Sequence, residues 1–143
     1  MVTNVVDALA RVPMFSSLDR RHLEKLAKEF SDQTFPAGSI VIHEGADRGV
    51  GFFVVADGEA VVSVGGTEVA RLRTGNQFGE VALISDRVRT ATVTAVTDLH
   101  CYVMTRWNFR AFVQGDVDVA WKLLERLALL LYEAPATAAS PKS

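Results

Sequence analysis

The stretch that decides the fold is GFFVVADGEAVVSVGGTEVARL, residues 51–72. Three runs rich in valine and phenylalanine, Gly51–Ala56, Ala60–Val64 and Glu68–Leu72, are separated by Asp57-Gly58 and Gly65-Gly66. β-Branched and aromatic residues favour strands, and both dipeptides tolerate the positive φ of tight turns, so each is expected to close a hairpin. Working outward, Ser39–Ile42 upstream and Ala91–Val96 and Leu99–Thr105 downstream read as further strands. Many short strands at this spacing predict a closed barrel or jelly roll, architectures that protect strand edges.

Helical patterns flank the strands. Residues Asn4–Arg11 form a short amphipathic run stopped by Pro13, and from Ser17, read as an N-cap, Leu18, Leu23, Leu26, Ala27 and Phe30 recur at helical spacing. Helical periodicity returns at Arg106–Phe112 and at Asp116–Glu133. Wound as a helix, the last segment gathers Asp118, Lys122, Glu125 and Arg126 into one sector, while its apolar residues spread over roughly 220°, about twice the stripe one packing contact needs. Such a helix is either clamped between barrel and N-terminal helices or gives part of its face to a ligand or a partner subunit. The expectation is one domain over residues 1–134 and a disordered Ala/Thr/Ser/Pro/Lys tail over 135–143.

Composition agrees with that plan. The 143 residues, 49% hydrophobic and 22% charged, suit a single globular domain with its own core. A net charge of −2 provides no global basic field for nucleic acid, yet does not oppose a small anionic ligand. One cysteine, Cys101, excludes an internal disulfide and points to a cytoplasmic protein. Residues 1–11 do not read as a signal peptide, and the longest apolar run, Leu127–Tyr132, is far too short to span a membrane.

The chemistry concentrates in residues 78–95, FGEVALISDRVRTATVTA. Gly75 and Gly79 bracket Asn76-Gln77-Phe78, and Glu80–Ile84 fit one helical turn. A helical turn opening at a glycine offers unpaired backbone N–H groups to an anion. Arg89 follows after a short loop, and its planar guanidinium matches phosphate oxygens in a bidentate fork. Glu80 would repel a phosphate but suits a ribose hydroxyl. Donors for phosphate beside an acceptor for a sugar describe a nucleotide pocket. The plain alternative is a Glu80–Arg89 salt bridge in an empty pocket.

This segment resembles the phosphate-binding cassette of the cyclic nucleotide-binding domain family, Phe-Gly-Glu-x-Ala-Leu, a spacer, then Arg-[Ser/Thr/Ala]-Ala-[Thr/Ser]-Val. Gly79, Glu80, Ala82, Leu83, Arg89, Thr90, Ala91, Thr92 and Val93 all fall in place. Pro36-Ala37-Gly38 with Ile40, Glu44-Gly45 and Asp57-Gly58-Glu59-Ala60 match the family's glycine punctuation. Met14–Leu18 and the helices from Phe109 to Leu131 are similar too, so the resemblance covers about residues 10–132. It implies a mainly β fold with flanking helices: a double-stranded β-helix or jelly-roll barrel with N-terminal helices and a C-terminal lid helix. The implied nucleotide site is Gly79, Glu80, Val81, Ala82, Arg89, Thr90 and Ala91. Arg89 would hold the cyclic phosphate with backbone N–H groups of Ala82 and Thr90, and Glu80 would accept from the ribose 2′-OH. Leu131 and Tyr132 would cover the base. One departure is Val88, where the family usually has a proline that stiffens the loop. Thr90 is compatible with cAMP or cGMP; likeness to bacterial-type members favours cAMP.

Other chemistry fails on spacing. His22, His43 and His100 form no metal-binding pattern, as a cupin enzyme would require, and Cys101 reads as a core residue. Trp107 and Trp121 read as packing anchors, Arg87 as a solvated neighbour of the pocket. The expectation is therefore a non-enzymatic cytoplasmic sensor of a cyclic nucleotide, with no resident cofactor or metal, and no direct contact with nucleic acid or membrane. It would signal through its last helix to an effector protein or domain, and that helix could also form a homodimer. The alternatives are a ligand-independent interaction module with a degenerate pocket, or the sensor fragment of a larger transcription regulator or regulated enzyme. No helix-turn-helix pattern follows the last helix in these residues.

Overall fold

In the computed structural model, residues 2–45, 51–79, 83–84 and 90–133 are described. Helix α1 (Val2–Ala10), a 3-10 turn (Pro13–Phe15) and α2 (Arg20–Ala27) precede eight strands. These are β1 (Ser31–Phe35), β2 (Ile40–Ile42), β3 (Gly51–Asp57), β4 (Ala60–Val64), β5 (Thr67–Leu72), β6 (Gln77–Phe78), β7 (Thr92–Ala95) and β8 (Leu99–Thr105), and α3 (Arg106–Gln114) and α4 (Val117–Glu133) follow.

The strands form two antiparallel four-stranded sheets, ordered β1-β8-β3-β6 and β2-β7-β4-β5. Alternation along β3 and β8 assigns two cores. Phe53, Val55, Cys101 and Val103 point between the sheets, where they meet Ile42, Ala60, Phe78, Val93, Ala95 and Leu99. Phe52, Val54, Tyr102 and Met104 point the other way, into a layer made by the helices and centred on Leu9, Phe15, Leu26, Val119 and Leu123. These two central strands are covered on both faces, which is why they read as near-continuous apolar runs. The jelly-roll expectation with flanking helices holds.

Gly65-Gly66 does close a hairpin, since β4 pairs with β5 and Val64 lies opposite Thr67. Asp57-Gly58 does not. Its flanking strands, β3 and β4, belong to different sheets, so the dipeptide is a corner at which the chain changes layers. Positive φ serves a corner as well as a hairpin, so composition alone could not separate the two. The β1–β2, β3–β4 and β7–β8 corners are laced together at one end of the roll. Val96 N–H donates to the Glu59 carbonyl (2.8 Å), Gly38 N–H to Ala95 (2.7 Å), and Ala37 N–H to the Asp98 carboxylate (3.0 Å).

Candidate functional site

The expected site lies between β6 and β7. Strand β6 is the edge of one sheet, against β3, while β7 lies inside the other, between β2 and β4. The segment joining them therefore crosses from sheet to sheet. Its two ends are firmly held. On the near side Phe78 stacks on Phe53, with ring centroids 4.8 Å apart and planes within 1°. Gly79 follows directly at φ +90°, a left-handed turn that favours glycine. On the far side the Thr92 hydroxyl accepts the Glu44 N–H (3.0 Å), and the Glu44 carboxylate accepts the Gly65 N–H (3.0 Å). Thr92 thus fastens the start of β7 to the end of β2 and, through Glu44, to the β4–β5 turn.

Among the expected ligand contacts, Gly79, Thr90 and Ala91 sit on these two ends, Thr90 exposed and Ala91 half-buried. Glu80, Val81, Ala82 and Arg89, with Arg87 and Val88, lie outside the described residues, as does the expected tail over 135–143. Leu83 is buried among Phe15, Leu23, Phe52 and their neighbours, on the helical side of the β1-β8-β3-β6 sheet. The middle of the crossing segment is thereby anchored to the helices. Leu131 and Tyr132 are 77% and 88% exposed, on the last turn of α4.

The histidines remain apart. His22 is buried in α2, its ring nitrogens 2.9 Å from the Asp19 carboxylate and 3.7 Å from that of Asp116; His43 contacts the Glu44 carbonyl; His100 faces Asp32. Among the described residues no cluster of His, Cys, Asp or Glu could hold a metal ion. Burial pushes the Cys101 thiol up to about 12, which makes it a poor nucleophile. Trp107 and Trp121 are largely exposed, so neither is the packing anchor that its sequence context implied. Sequence reading also passed over Phe53 and Glu44 as supports of the site. A phenylalanine in an apolar run, and a glutamate before a glycine, carry no mark of their tertiary partners.

The crossing segment thus leaves β6 at a left-handed glycine and enters β7 at a threonine bonded to the end of β2. The family model for the cyclic nucleotide-binding domain matches residues 32–116, from β1 to the start of α4. The chain belongs to the cyclic nucleotide-binding domain family. This domain is 40% identical over 112 residues to a cAMP-dependent protein kinase regulatory subunit of Schizosaccharomyces pombe, an alignment covering 78% of the chain and 27% of that protein. It is 39% identical over 114 residues to the same kind of subunit from Eremothecium gossypii, covering 79% and 25%. The chain thus spans about a quarter of the length of these relatives.

Solved structures agree. The N-terminal domain of a transcriptional regulator from Streptomyces coelicolor A3(2) superposes with a TM-score of 0.79 at 26% identity, over 95% of this chain and 99% of that one. The regulatory domain of Toxoplasma gondii PKA, crystallised with cAMP, gives 0.67 at 30% identity, over 78% and 44%. No described helix is long and apolar enough to cross a membrane.

Proposed function

We propose that this chain is a cAMP-responsive regulatory module. The observation that carries the proposal is the complete polar set of the cassette, Gly79-Glu80 with Arg89-Thr90-Ala91, on a segment whose ends are fixed by Phe78 and Thr92. Similarity to regulatory subunits of a cAMP-dependent kinase, and to a regulatory domain crystallised with cAMP, favours cAMP over cGMP. In this reading Arg89 grips the cyclic phosphate, backbone N–H groups at Ala82 and Thr90 assist it, and Glu80 accepts from the ribose 2′-OH. A charge-assisted fork on the phosphate supplies the largest share of affinity. No covalent step is involved; the domain acts by binding.

The signal would leave through α4. A ligand that binds one conformation better than another shifts the population toward it. The module would favour the conformation in which Leu131 and Tyr132 close over the base, and an effector protein or domain would read the change. The exposed face of α4, with Val117, Trp121, Leu124 and Leu131, also suits pairing with a second copy. Residues 1–134 would be one domain, working in the cytoplasm without direct contact to nucleic acid or membrane.

Isothermal titration with cAMP and cGMP tests the reading. We expect a single cAMP site, weaker cGMP binding, and a loss of at least about 100-fold in affinity for Arg89→Ala, since a charged hydrogen-bond partner of the ligand is removed. No cAMP binding by the wild type, or unchanged affinity in Arg89→Ala, sinks it.

A further inference from the structure

We infer that Arg11, at the end of the first helix and remote in sequence from the cassette, is a positioning residue for the nucleotide site; the inference rests on the cAMP-binding role proposed above. The Arg11 guanidinium donates to the Gly75 carbonyl at 2.6 Å, across 64 residues of sequence. Gly75 lies in the turn between β5 and β6, four residues before Gly79.

The rest of that turn is bonded to the roll or to itself. Gly75 N–H donates to the Val55 carbonyl (2.8 Å), Val55 N–H to that of Asn76 (2.8 Å), and Asn76 N–H to that of Arg73 (2.9 Å). The Asn76 side chain in turn accepts the Arg73 N–H (2.8 Å). The Gly75 carbonyl is given to Arg11. Gly75 holds φ +92°, a left-handed backbone that favours glycine, while an added Cβ would make only an ordinary 3.6 Å contact with the Arg11 guanidinium.

Arg11 reaches out from a fixed base. Leu9, Val12 and Phe15 around it are fully buried, and Arg126 of α4 donates to the Pro13 carbonyl at 3.2 Å. A cation on a rigid mount therefore sets the turn from which β6 runs only two residues to Gly79. The guanidinium itself is exposed, and an exposed contact of this kind contributes little to global stability. Its effect belongs in the placement of Gly79, and hence in ligand affinity, more than in the melting temperature.

The test compares the wild type with Arg11→Ala and Arg11→Lys, using cAMP titration, the melting temperature without nucleotide, and amide exchange at Gly75 and Asn76. We expect Arg11→Ala to bind cAMP about three- to tenfold more weakly, within the range for the net loss of one ordinary hydrogen bond, because Arg11 acts on the ligand only through Gly79. Its melting point should stay close to that of the wild type, with faster exchange at both amides. Lysine, which can give one donor to a carbonyl, should restore most of the affinity. Affinity unchanged in Arg11→Ala overturns the inference, whatever the exchange shows. So does a loss that merely tracks a lower melting point and that lysine does not rescue. If the wild type itself takes up no cAMP, the functional reading falls and the ligand role of Arg11 falls with it. Exchange at Gly75 and Asn76 would then show separately whether Arg11 holds the turn.

Discussion

Gly58 and Gly66 both occupy the left-handed region, at φ +107° and +85°, yet they should answer differently to the same substitution. A Cβ on Gly66 meets nothing within 4 Å, so Gly66→Ala adds only backbone strain, about 1 kcal/mol. A Cβ on Gly58 would fall 2.4 Å from the Asp98 carbonyl and 3.0 Å from the Thr97 hydroxyl, in the laced end of the roll. Gly58→Ala must therefore also push apart the two corners, and we expect it to cost about 3 kcal/mol or more in urea unfolding. Equal costs at the two positions would contradict the corner geometry. The need for glycine was legible at both sites. The difference between them was not, because it depends on Asp98, forty residues away on another corner. The cassette divides in the same manner. Its polar residues lie within one short stretch of sequence and could be read directly, whereas Phe53 under Phe78 and Glu44 on Thr92 are brought to its ends only by folding.

At the level of elements, α2 begins at Arg20, capped by Asp19, whose carboxylate accepts the His22 N–H at 2.9 Å. Ser17 had the right chemistry for the cap but sits two residues too early. Leu18 N–H is still bonded to Phe15 of the 3-10 turn, and Leu18 packs in the same core as Leu23, the arrangement of a hydrophobic staple around Asp19. The backbone N–H of His22 holds the Asp19 carboxyl below its ordinary value of 3.8. With the folded pKa below the unfolded one, the carboxylate's contribution is complete above the unfolded value and is lost as pH falls through the folded one. Asp19→Ala should thus melt roughly 3–5 °C below the wild type at neutral pH, with the gap closing below about pH 3.8. A gap that stays the same from neutral pH to the lowest pH at which the protein remains folded would show that the charge is not the source. Two strands escaped the sequence reading for opposite reasons. Strand β1, Ser-Asp-Gln-Thr-Phe, is an edge with four exposed residues, so it has no apolar alternation to detect, although it pairs with β8 from Ser31 to Phe35. Strand β6 has only two residues and is defined by its pairing with β3. The central strands, buried on both faces, announced themselves.

For the whole molecule, the breadth of the apolar surface on α4 becomes two separate faces. Val119 and Leu123 are buried against the domain's own helices, with Leu127 and Leu130 beside them, and they account for one face. Val117, Trp121, Leu124, Ala128 and Leu131 recur at alternating steps of four and three residues along the other, and all five are exposed. That spacing is the seam of a two-helix contact, and a seam on one helix is self-complementary under a two-fold axis. The dimer proposed for this module would use it. Sedimentation equilibrium should then find a dimer at micromolar concentrations, and Trp121→Glu combined with Leu124→Glu should find a monomer. Both side chains lie outside the buried core, so the double variant should keep the wild-type fold by circular dichroism and its cAMP affinity within about threefold, less than the tenfold that 1.4 kcal/mol represents. A wild type that stays monomeric at 100-fold higher concentration, on the order of 100 µM, would assign the stripe to some other partner. A double variant that still dimerises would move the contact off α4 altogether.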